Sequence, residues 1–114
     1  MTLSDVERRI LDLAVEDSYA LSEIVSRLGD AFPKLASKEV KELTKETIRA
    51  LYEKGLIEIT KLEFPEGPEP AVRQNEALVA LADDFNWVQL KHWRPHVRVV
   101  ATAAGRAAFY ARYA

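Results

Sequence analysis

Gly55 marks the place where the hydrophobic period of this chain changes. Before it, Val40, Leu43, Thr47, Ile48 and Leu51 recur at helical spacing, and Ser37 offers the helix an N-cap. After it, Leu-Ile-Glu-Ile-Thr-Lys-Leu runs over 56–62, where Ile57, Ile59 and Lys61 alternate with Glu58 and Thr60. A helix hands over directly to a strand, so the fold must combine the two.

Two shorter helices precede this junction. Val6, Ile10, Leu11, Leu13 and Ala14 share one side of a helix that starts near Ser4, with Glu7 placed for a capping box, and ends near Asp17-Ser18. Leu21, Ile24, Val25 and Leu28 form the stripe of a second helix that Gly29 is expected to close. Pro33 then disfavours helix at Phe32.

Beyond the strand, Phe64-Pro-Glu-Gly-Pro-Glu-Pro70 holds three of the five prolines and reads as a surface loop. Asn75 to Asp84 reads as a short helix ended by Asn86-Trp87. After Pro95 comes a second alternating run, 96–101, and Thr102 then caps a last helix over Ala103 to Tyr113.

At 114 residues with no Cys, one core without disulfides or thiolate chemistry is expected. Charged residues within Met1 to Leu13 argue against a signal peptide. No stretch approaches the roughly 18 apolar residues of a membrane span, so the expected address is the cytoplasm and no membrane partner is implied. The net charge of -2 hides an uneven layout. Over 63–90, Arg73 stands alone against Glu63, Glu66, Glu69, Glu76, Asp83 and Asp84, whereas 91–114 carries Lys91, Arg94, Arg98, Arg106 and Arg112 with no acid.

Two stretches carry a resemblance. Thr47-Ile48-Arg49-Ala50-Leu51-Tyr52-Glu53-Lys54-Gly55-Leu56-Ile57 resembles the end of the third helix of the winged helix-turn-helix family and its exit into the first wing strand. Val100-Ala101-Thr102-Ala103-Ala104-Gly105-Arg106-Ala107-Ala108 resembles that family's strand followed by a Thr-capped helix. The resemblance implies an α+β, mainly α fold with three N-terminal helices, a small antiparallel wing sheet and a C-terminal helix. Residues 1–114 would form a single winged-helix domain, with 63–95 inserted in the wing and bringing a short helix, as in small bacterial proteins of this type. Gly55 would take a left-handed cap, strands 56–62 and 96–101 would pair antiparallel, and Leu51, Leu56 and Ile57 would be buried. The family also implies DNA binding, most naturally in transcriptional regulation.

On a helical wheel Lys38, Lys41, Lys45 and Arg49 form a basic stripe that could meet phosphates or base edges. Glu39, Glu42, Glu46 and Glu53 fill the neighbouring sector, and the same pattern suits a solvated helix. Arg94 and Arg98 would put a basic wing strand beside the stripe to hold backbone phosphates. Alternatively they pair with the acidic stretch before them. The rival function is a protein-interaction or immunity-like adaptor module without DNA binding, using the inserted segment.

Trp87 and Trp93 are expected at the core edge, an exposed Trp93 marking a partner surface instead. Phe109, Tyr110 and Tyr113 on the Ala-rich last helix suit a homodimer or packing on the first helix. His92 and His96 lack an obvious third ligand, so no metal is expected. With four Gly, no phosphate loop and no nucleophile motif, neither catalysis nor a cofactor is implied.

Overall fold

The computed structural model describes residues 3–111, and its element order follows the expected layout with a 3₁₀ turn after the fourth helix and one strand in addition. Helix α1 (Asp5–Glu16) opens on the capping box: the Ser4 hydroxyl accepts from the Glu7 N–H at 3.1 Å, and the Glu7 carboxylate accepts from the Ser4 N–H at 2.9 Å. The added strand is β1 (Tyr19–Ala20), too short to show alternation in the sequence. Helix α2 (Leu21–Ala31) runs through Gly29 rather than stopping there. Gly29 keeps ordinary helical backbone, and the chain leaves the helix at Phe32, ahead of Pro33.

Helix α3 (Ser37–Glu53) is capped by Ala36, not Ser37: the Glu39 carboxylate accepts from the Ala36 N–H at 3.0 Å, supplying the reciprocal half of a capping box. Gly55 has φ 75°, the left-handed cap that turns the chain into β2 (Ile57–Leu62). Then come α4 (Gln74–Ala82), a 3₁₀ turn over Asp84–Trp87, β3 (His96–Ala101) and α5 (Ala103–Tyr110).

The sheet order is β1-β3-β2, all antiparallel, with Ile57 opposite Ala101 and Leu62 opposite His96. Ile57, Ile59, Val97, Val99 and Ala101 therefore share one face and are buried. Leu51, Leu56 and Ile57 are buried as expected, within one cluster built around Ile10, Leu11, Leu21, Ile24, Ile48 and Val99. Burying these aliphatic side chains contributes about 1.5 to 3 kcal/mol each, before chain entropy is counted.

The other sheet face departs from simple alternation. Thr60 is buried, because the end of the proline loop folds back onto β2: Lys61 N–H donates to Pro70 at 3.0 Å, and Val72 N–H donates to Ile59 at 2.9 Å. Proline suits this edge, where only its carbonyl is needed.

Thr102 ties α5 to the helix-to-strand junction. Its hydroxyl donates to the Gly55 carbonyl at 2.7 Å and accepts from the Gly105 N–H at 3.0 Å, while its own N–H donates to Leu56 at 3.1 Å. A Cβ on Gly105 would lie 1.9 Å from the Leu56 carbonyl oxygen, so glycine is required for this approach. A second tie is the 2.6 Å ion pair of buried Glu7 with Lys54, which joins the start of α1 to the end of α3. Burial pushes the Glu7 carboxyl up, but the Lys54 ammonium and the Ser4 N–H outweigh it and hold the group below its usual 4.5.

Candidate interaction surface

The basic stripe of α3 is divided by the fold. Lys41 and Lys45 are half-buried on the flank that the inserted segment covers, and Lys38 and Arg49 stay in the open sector. Lys45 donates to the Asp84 carboxylate at 2.7 Å and lies 5.5 Å from the Trp87 ring centroid. The Lys45 hydrogen bond, then the charges of Lys45 and Lys41, hold the Asp84 carboxyl below its usual value. Trp87 is buried and donates its ring N–H to Leu81 at 2.9 Å, so the 3₁₀ turn is anchored as well as paired.

What α3 leaves to solvent is acidic. Glu39, Glu42, Glu46 and Glu53 are exposed alongside Lys38 and Arg49, and Arg49 is itself paired with Glu53 at 3.0 Å. A phosphate backbone approaching this sector meets more carboxylates than cations, which is repulsive at contact distances.

Arg98 is held inside the fold. Its side chain is 18% exposed, it pairs with Glu69 at 3.1 Å and Glu23 at 3.7 Å, and it donates to the Ser18 carbonyl at 2.6 Å and hydroxyl at 3.0 Å. The arginine thereby clamps the proline loop, through Glu69, to the connection between α1 and α2. Its guanidinium also lies 2.9 Å from His96 Nε2, and since arginine can only donate, that nitrogen accepts and Nδ1–H donates to the Arg94 carbonyl at 2.8 Å. Both ring nitrogens of buried His96 are thus engaged. Among the described residues no three His, Cys, Asp or Glu side chains cluster as a metal site would require.

Arg94 is placed differently. Its guanidinium lies 4.0 Å from the Phe85 ring centroid and donates through Nη2 to the carbonyls of Phe85 and Val88 at 3.3 and 3.4 Å. Among the described residues it makes no ion pair. It borders a groove of about 520 Å³ between α4, the 3₁₀ turn and the start of β3.

Trp93 is not at the core edge with Trp87 but 46% exposed. Phe109, expected on a partner surface, is buried, because the close approach at Gly105 turns that side of α5 onto the core. Tyr110 is exposed and meets the Phe109 ring edge-on at 5.2 Å, and Tyr113 lies outside the described residues.

The exposed large apolar side chains are concentrated in the insertion. Of seven among the described residues, Phe64, Val79, Phe85, Val88 and Trp93 fall within 63–95, leaving Leu35 and Tyr110 elsewhere. Sequence reasoning found Trp93 but missed Val79 and Phe85, which are 70% and 60% exposed. Only the docking of α4 through Ala77 and Leu81 shows that Val79 faces out.

No helix among the described residues is long and apolar enough to cross a membrane. Compared with protein-family models, curated proteins and solved structures, the chain matches none.

Proposed function

We propose that this chain is a protein-interaction module on a winged-helix scaffold and that its inserted segment, not its third helix, meets the partner. The observation that carries this reading is the concentration of exposed apolar side chains on 63–95, where an apolar surface is a marker of protein contact. The same insertion pairs Lys45 with Asp84 and leaves α3 with an acidic open sector, which weighs against the alternative of transcriptional regulation through a DNA-reading helix.

Site-resolved photocrosslinking separates the two. A photoreactive side chain placed at Val79, Phe85 or Trp93 should form adducts with protein, and one placed at Lys38 or Glu42 should form none with nucleic acid. Nucleic-acid adducts from α3, together with a mobility shift that weakens steeply with salt, would refute the reading in favour of DNA binding.

A further inference from the structure

We propose that the groove between α4, the 3₁₀ turn and the start of β3 binds an acidic peptide segment, with Arg94 receiving a carboxylate while Val79 and Phe85 seat an adjacent apolar side chain. This deepens, and rests on, the protein-interaction reading above.

Arg94 is the fixed cation at the edge of this groove. Guanidinium groups at protein surfaces are ordinarily mobile, and binding an anion then costs side-chain entropy. Here the plane is fixed by the Phe85 face at 4.0 Å and by two backbone carbonyls, both engaged through Nη2. That leaves Nε and Nη1, each with a hydrogen to donate in a charged hydrogen bond to a carboxylate oxygen. Arg98 already pairs with Glu69 through Nε at 3.1 Å, whereas Arg94 has no carboxylate partner among the described residues.

The surroundings decide what kind of anion fits. Val79, Phe85 and Pro95 line the groove and favour an apolar side chain beside the charge. Glu76 and Asp83 line it too, as does Lys61, which is already paired with Glu63. A nucleic-acid strand, with a charge on every nucleotide, would be driven against those two carboxylates. A peptide can place one carboxylate at Arg94 and neutral residues elsewhere, so charge complementarity selects the peptide.

The test is fluorescence polarisation on the full chain with three labelled probes: a peptide with one Glu beside Leu and otherwise neutral, its Gln-for-Glu counterpart, and a thymidylate oligonucleotide. The acidic peptide should bind, and the Gln counterpart should bind about tenfold more weakly or worse, since a charged hydrogen-bonded pair is lost. Arg94→Gln and Val79→Asp should each weaken the acidic peptide by about the same factor, while Arg94→Lys should recover only part of the loss because an ammonium cannot lie flat on the Phe85 ring. Val79 lies on exposed α4 surface, so its variant tests the groove independently of any loosening of the 3₁₀ turn. No binding of the acidic peptide, equal binding of both peptides, or binding indifferent to Arg94→Gln would overturn the proposal. Protein adducts at Val79 that persist in Arg94→Gln would overturn it while leaving the protein-interaction reading standing. Oligonucleotide binding in preference to both peptides would overturn both.

Discussion

Two glycine-to-alanine changes should move stability in opposite directions, and the reason is visible in the backbone around each. At Gly105 the added Cβ would sit 1.9 Å from the Leu56 carbonyl oxygen and 2.9 Å from its carbon, both backbone atoms that cannot swing aside. Restoring ordinary contact requires α5 to withdraw by about 1.5 Å, given carbon contacts near 3.5 Å. That movement stretches the Thr102 N–H bond to Leu56 and the Thr102 hydroxyl bond to Gly55, each contributing about 1 kcal/mol. It also draws buried Phe109 out of its contacts. With overpacking itself costing about 1 to 3 kcal/mol, Gly105→Ala should destabilise by about 3 to 5 kcal/mol. At Gly29 nothing lies within 4 Å of an added Cβ, and the residue is inside α2 with ordinary helical backbone. Gly29→Ala should therefore stabilise by about 0.5 to 1 kcal/mol, by helix propensity and a less flexible unfolded chain. Urea unfolding followed by circular dichroism measures both, the midpoint shift being read against a common slope. A Gly105→Ala protein within about 0.5 kcal/mol of the parent would refute the close-approach argument, that being the scatter of uneventful surface changes. A destabilised Gly29→Ala protein would show that this glycine is a left-handed cap after all.

Glu7 and Arg98 give two more tests. The folded carboxyl of Glu7 is depressed, so its contribution is complete above its ordinary value of 4.5 and is lost as pH falls through the lower folded value. Glu7→Gln should cost about 1 to 2 kcal/mol at neutral pH, and the gap to the parent should close as pH falls from 4.5 through the lower folded value; a gap independent of pH would discount the Lys54 pair. Arg98→Met releases Glu69 and with it the proline loop, so a protease specific for Glu should cut at Glu63 or Glu66 several-fold faster than in the parent. Unchanged cleavage would mean that the β2-edge bonds of Pro70 and Val72 hold the loop without the clamp.

Much of the fold was legible because it rests on local rules. The helix-to-strand change at Gly55 requires a left-handed residue, and the Ser4-Glu7 box and Thr102 cap are satisfied within four residues of chain. Apolar spacing likewise placed Leu51, Ile57 and Val99 in the core. The local rules misled where a neighbour's needs outweighed them: Gly29 lost its stopping role to a helix that continues to Phe32, and Ser37 lost the cap to Ala36 with Glu39.

The surface was decided by tertiary structure alone. Composition showed an acidic stretch before a basic one, but not that Asp84 would reach Lys45 across 39 positions or that Glu69 would occupy Arg98. Spacing on a wheel assigns a residue to a side of its own helix and says nothing of what covers that side. The insertion thus settled which cations of α3 remain open, and Gly105 settled that Phe109 faces inward. Core burial is specified by short-range periodicity because every helix and strand must hide one face. The identity of an ion-pair partner depends on where distant segments dock, and that is fixed only once the whole chain has packed.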